Sequence, residues 1–221
     1  MSTYTDAKGA QYVLHPDFTS GDMVLLADSG AAFKYTKTKL SDASQVLRDL
    51  FANDSLSGAE IHIPTKGDAL RLFLQMAADP GVRPTWAYTW EAAIPAIELA
   101  RQYDADAVAR DILYSYAVID PKSYRFEAFA LACELDHTLA ACRLLSQGHA
   151  GESAYQSLRP VDGDWKPATA KRLSGFWFWS LANAVEVVDK RGIGGGSLAN
   201  QRMTEAYWSA VVGEFMIHLT K

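Results

Sequence analysis

Residues 22–51 constrain this chain more than any other stretch. Asp22-Met-Val-Leu-Leu-Ala27 is an apolar run opened by an acid, and the turn Asp28-Ser-Gly30 follows at once. Phe33-Lys-Tyr-Thr-Lys37 then alternates with period two, and from Leu40 to Phe51 the spacing becomes helical. Alternation assigns every second side chain to one face of a strand. Leu40, Ser44, Leu47 and Phe51 instead share one helical face, which Val46 and Leu50 widen. The pattern predicts strands at 22–27 and 32–36, a hairpin turn at Ser29-Gly30, and a short helical pair directly behind them.

The remainder reads mostly as helix. Residues 1–14 are polar until Tyr12-Val-Leu14, so they are expected to form a flexible tail with a short strand at its end. Ile61-His-Ile63 is a short strand stopped by Pro64, with His62 expected to face solvent. Thr65-Lys-Gly-Asp68 resembles a capping box and should open a helix at 69–78. Further helices are expected at 90–103, where Pro95 must lie in the first turn or kink the axis, and at 105–118. Helices at 124–135 and 138–147 meet at a tight turn, Asp136-His137. A polar connection, 148–167, then leads to a long helix at 169–190. Thr169 would cap that helix and Gly192 would end it. Gly192–Gly196 reads as a flexible joint before a last helix at 200–219.

Composition narrows the function classes. With 221 residues, 49% of them apolar, the chain should bury about 70% of its unfolded surface without help from metals or disulfides. The formal net charge is −5 and Lys and Arg are scattered, so no basic footprint for nucleic acid is present. Cys133 and Cys142, nine residues apart in one helical pattern, would stand roughly 13 Å apart along the axis, too far for a disulfide. Free thiols fit a reducing compartment, and no signal peptide or membrane span is legible, so the expected location is cytoplasmic or nuclear, with no membrane partner.

Catalytic readings fare poorly against simpler ones. The five histidines are dispersed, and neither His-Glu-x-x-His nor Cys-x-x-Cys occurs, so no metal is expected. Gly192-Ile-Gly-Gly-Gly-Ser197 follows a helix rather than a strand and lacks the lysine of a phosphate loop. Asp104-Ala-Asp106 suits a helix N-terminus and Asp162-Gly-Asp164 a turn. Phe176-Trp-Phe-Trp179 points around all sides of a helix, which reads as a helix buried on several faces, with a partner groove as the alternative. No cofactor and no catalytic residue is expected.

The hairpin and helical pair resemble the BTB (POZ) family. The acid before the first strand is Asp22, and the family pattern that leads from the second strand into a helix is carried by Phe33, Lys37, Leu40 and Ser44. Tyr35 and Leu47 are apolar substitutes in that pattern, and Thr36 stands where histidine is usual. Ala100-Arg-Gln-Tyr103-Asp104 looks like the family's later Lys-Tyr signature. Residues 124–141 are similar to a helical extension of BTB proteins of basidiomycete fungi. The resemblance implies an α+β fold: a short sheet with packed helices over 15–118, followed by a helical extension over 119–221 packed against it. It implies protein–protein interaction without catalysis, as a self-associating scaffold or adaptor.

Under this resemblance Asp22 and Lys37 would line a charged pocket near a dimer interface, with ordinary surface charges as the alternative. Tyr12, Val13 and Leu14 would belong to a segment exchanged or paired between copies. Leu40, Leu47, Leu50, Phe73 and Leu99 would share one core. The expected partners are a second copy and an unidentified protein; the alternative within interaction proteins is a substrate adaptor of a cullin-type ubiquitin ligase, with a cullin as that partner. The apolar-x-Glu element of cullin adaptors is missing from Asn53–Glu60. The reading from a different class is a small-molecule-binding or enzymatic helical domain over 119–221.

Overall fold

Met23-Val-Leu-Leu-Ala27 and Ala31-Ala-Phe-Lys-Tyr35 are β-rich runs on either side of a glycine, and they pair antiparallel as strands β3 (Met23–Ala27) and β4 (Ala31–Tyr35). Gly30 takes a left-handed φ of 79° at the turn, and its N–H donates to Ala27 O at 3.0 Å. The register sets Leu25 opposite Phe33 and Met23 opposite Tyr35, all four of them buried. The computed structural model describes residues 2–52, 60–79, 89–118, 124–147, 158, 167–193 and 205–220.

The chain divides into two units, 1–115 and 116–221. The first has a five-stranded sheet in the order β1-β2-β4-β3-β5, where β1 is Thr3–Thr5, β2 is Gln11–Thr19 and β5 is Glu60–Ile63. The expected flexible tail is therefore largely strand: Thr3 to Thr5 pair antiparallel with Val13 to Gln11. β2 also runs parallel to β4, with an irregularity between Leu14 and Thr19. Pro16 has no N–H for a ladder and falls within that irregular stretch.

Five helices follow in this unit: α1 (Lys37–Ala43), α2 (Gln45–Ala52), α3 (Gly67–Ala78), α4 (Trp90–Gln102) and α5 (Asp106–Tyr116). Ser44 separates α1 from α2 with extended backbone, φ −148° and ψ 125°. Its Oγ accepts from Leu47 N at 3.0 Å, capping α2, and donates to Tyr103 O. Thr65 does not cap α3. That helix starts at Gly67, two residues earlier than expected, with Lys66 as an N-cap that offers no side-chain bond. Ser29 Oγ, from the β3–β4 turn, accepts from Gly67 N at 3.0 Å instead. Pro95 lies inside α4, beyond its first turn. Leu40, Leu47, Phe73 and Leu99 meet in the core as expected, with Leu25, Ile63, Leu70 and Tyr103 around them, whereas Leu50 is only part-buried.

The second unit is helical among the described residues: α6 (Arg125–Glu134), α7 (Thr138–Ser146), the short α8 (Pro167–Ala170), α9 (Gly175–Arg191) and α10 (Glu205–Leu219). α10 packs on α9 and α7, and α6 packs on α7 and α8. The long helix expected from Thr169 starts at Gly175 instead. Ser174 Oγ accepts from Trp177 N at 3.4 Å, and Thr169 lies in the separate α8. Gly192, in the left-handed conformation, ends α9 as expected. Residues 194–196 of the glycine joint and most of the 148–167 connection, including Asp162 and Asp164, lie outside the described residues.

Cys133 and Cys142 are both free, but they sit on two helices, α6 and α7, rather than one. Burial pushes the Cys133 thiol well up and the Cys142 thiol up to about 11. Both are therefore protonated near neutral pH.

Candidate interaction surface

Asp22 stands one residue before β3, and Lys37 is the first residue of α1. The N-cap of α1, Thr36, makes no side-chain bond to the helix. Asp22 Oδ1 fills that role from a distance, accepting from Lys37 N at 2.8 Å. A carboxylate there satisfies one orphan donor and complements the positive end of the helix dipole. The two residues singled out by the resemblance are thus brought together, through the main chain of Lys37. The sequence signal was the acid before an apolar run, and its local effect is to lock the hairpin onto the first helix.

Tyr12, Val13 and Leu14 lie in β2, hydrogen-bonded between β1 and β4. Val13 N donates to Gly30 O at 2.8 Å, and Val13 is one of the exposed large apolar residues. β1 forms one edge of the sheet and β5 the other. Glu60, the first residue of β5, ties the two edges: Tyr4 Oη donates to Glu60 Oε1, and Ala7 N donates to Glu60 Oε2 at 2.9 Å. The hydrogen bond to Glu60 is the main cause that pushes the Tyr4 phenol up to about 12. Sequence reasoning missed this clasp because Tyr4 and Glu60 are 56 positions apart and nothing local pairs them. The rest of the loop that bears on a cullin contact, 53–59, lies outside the described residues.

On the same unit His15, Phe18, Phe33 and Tyr35 form a ring cluster. His15 stacks on Phe33 at 5.2 Å and meets Phe18 edge-on at 5.5 Å. Burial, helped by the nearby Arg71 charge, lowers the His15 pKa. His15 and Phe33 line an open cleft with Asp28, Ser29, Lys66 and Asp68. At its edge His62 is exposed, as expected, and pairs with Asp28 at 3.2 Å.

The aromatic run on α9 overturns its core reading. Trp177 alone is buried, against Phe215 of α10 at 5.6 Å between ring centroids. Phe176, Phe178 and Trp179 are exposed. Trp179 meets His218 edge-on at 5.3 Å, and Tyr207 Oη donates to Asp189 Oδ1 at 2.9 Å, so α9 and α10 run antiparallel. The start of α9 therefore lies beside the end of α10, where Met216 and Ile217 are also exposed. Among the described residues no helix is long and apolar enough to cross a membrane, and no group of three His, Cys, Asp or Glu side chains could hold a metal ion. Comparison of the whole sequence with protein-family models and with curated proteins gives no match.

Proposed function

We propose that this chain is a protein-interaction module of BTB type, self-associating through its first unit and acting as a scaffold or adaptor rather than an enzyme. The observation that carries the reading is the order in which the resemblance residues are used. An acid-led strand, β3, is followed by β4. Phe33 and Lys37 lead from β4 into the α1–α2 pair, β5 follows, and Tyr103-Asp104 joins α4 to α5. Support also comes from β1, a three-residue edge strand held by three residue pairs and the Glu60 clasp. Edge strands offer unpaired backbone groups to a second chain.

Light scattering across micromolar concentrations tests the proposal. A dimer mass is expected, and it should fall toward the monomer when Val13→Asp places a charge on the exposed face of β2. A strictly monomeric mass at every concentration would end the self-association reading.

A further inference from the structure

We infer that residues 2–19, the β1–β2 hairpin with its irregular end, form a strap that lets go of the rest of the first unit when His15 gains a proton. The hairpin is self-contained. Thr3 to Thr5 pair with Val13 to Gln11, and Leu14 N donates to Ser2 O at 2.9 Å. Asp6 Oδ1 closes its turn, accepting from Lys8 N at 3.0 Å and from Ala10 N at 2.7 Å. Its hold on the remainder is thinner. β2 pairs with β4 at Val13, Leu14 and Thr19, and the register breaks between Leu14 and Thr19. Side chains fasten that gap: His15 stacks on Phe33, Phe18 meets Phe33 and Tyr35, and Arg71 Nη2 donates to Asp17 Oδ2 at 2.6 Å. The Glu60 clasp fastens the far end. A segment held this way opens as a unit, at lower free energy than the strands of the core.

His15 is the fastening that a proton undoes. Its Nδ1 accepts from Asp17 N at 3.3 Å, so the ring is neutral in place, with its hydrogen on Nε2. Protonation sets an N–H against the Asp17 N–H and places charge on a ring packed between Phe18 and Phe33. The charged groups around it are Asp17 on β2, Arg71 and Asp68 on α3, and Asp28 and Lys66 along the shared cleft, while β4 faces it with Phe33. Asp17 Oδ2 lies 3.9 Å from Nδ1 but is already bonded to Arg71, whose cation opposes a second one. Burial and Arg71 together outweigh the attraction of Asp17 and Asp68. A released strap returns the ring to water and to its ordinary pKa, so release takes up a proton and is favoured as pH falls through about 6.5. One proton bounds that gain at about tenfold per pH unit. Release uncovers the edge of β4 and frees Glu60 from its clasp, so the first unit presents a different surface below about pH 6. The device works within one copy and does not depend on self-association.

Hydrogen exchange of the full-length chain, read amide by amide by nuclear magnetic resonance between about pH 7.5 and pH 5.5, tests the strap. The reporter is Val13 N–H, which donates to Gly30 O across the β2–β4 seam, and the reference is the β3–β4 ladder. After correction for intrinsic exchange, Val13 should be at least about tenfold less protected than the ladder at every pH, because it opens without global unfolding. Its protection should fall by up to about tenfold per pH unit in wild type and stay level in His15→Phe. Should His15→Phe misfold by circular dichroism, His15→Gln replaces it, since neither side chain titrates. Equal protection of Val13 and the ladder at each pH would place the effect of His15 in global unfolding and overturn the strap. A Val13 amide that ignores pH in wild type, or that loses protection equally in the variant, would overturn the role of His15.

Discussion

Among the described glycines, Gly21 has the least room for a side chain. Its φ of 151° lies where side chains are rarely tolerated, and a Cβ built there would come within 2.3 Å of Tyr35 O and 2.5 Å of Tyr35 N. Those are main-chain atoms of β4, which cannot yield without moving the hairpin. Gly21→Ala should destabilise by about 2 kcal/mol or more. Gly192→Ala, at φ 63° with open space around it, should lose only about 1–2 kcal/mol. Urea melts of the two variants check the ordering. A second residue, His15, makes stability depend on pH. Its folded pKa is lowered by burial first and by Arg71 second, and the carboxylates of Asp17 and Asp68 oppose that shift only in part. The unfolded chain therefore binds the proton more readily than the folded one, and stability falls as pH drops through about 6.5. Replacing His15 with Phe, which keeps a ring against Phe18 and Phe33, should flatten the fall in Tm between about pH 7 and pH 5. An equal fall in wild type and variant would show that other groups set the slope.

The elements legible in the sequence are those whose cause is local. β3 and β4 follow from period-two alternation around a glycine, and α2 and α3 from an apolar stripe at helical spacing. Leu47→Ala and Phe73→Ala should each lose about 2–5 kcal/mol, because both side chains are at most 3% exposed in the core of the first unit. Losses under about 0.5 kcal/mol in urea melts would contradict that burial. Where the cause is distant, the sequence was silent or misleading. Ser44 fits the helical stripe by spacing, yet it breaks the helix, because its hydroxyl reaches Tyr103 O, 59 residues away, while capping α2. Thr65 has the chemistry of a cap, but Ser29 reaches α3 first, across a turn that only the folded hairpin positions. Thr169 and Ser174 are both cap-forming by type, and it is Ser174 that caps the long helix. β1 has too few apolar residues to announce a strand, and it exists because β2 and Glu60 hold it. The Phe176–Trp179 run shows the same limit for function: its spacing circles the helix, so the pattern could not say that only Trp177 would find a core.

At the scale of the whole chain, the division between the units falls at the end of a helix rather than in a linker. α5 runs from Asp106 to Tyr116, and the second unit begins at Tyr116. Tyr116 and Ala117 are both buried, and Ala117 O accepts from Gln147 Nε2 at 2.9 Å inside the second unit. A buried amide that loses its partner is left unsatisfied. Any cut near residue 118 therefore removes part of one fold to make the end of the other. A fragment of 1–118 would carry Tyr116 and Ala117 without their neighbours, and 119–221 would leave Gln147 without Ala117 O. The expectation is that the intact chain melts in one cooperative transition by calorimetry and circular dichroism alike. Each separate fragment should melt lower, at a different denaturant midpoint, or fail to fold. Two soluble fragments that melt as they do in the whole protein would make 119–221 a binding module in its own right. The exposed aromatic end of α9 and α10 would then act independently of the unit that carries Asp22 and Lys37.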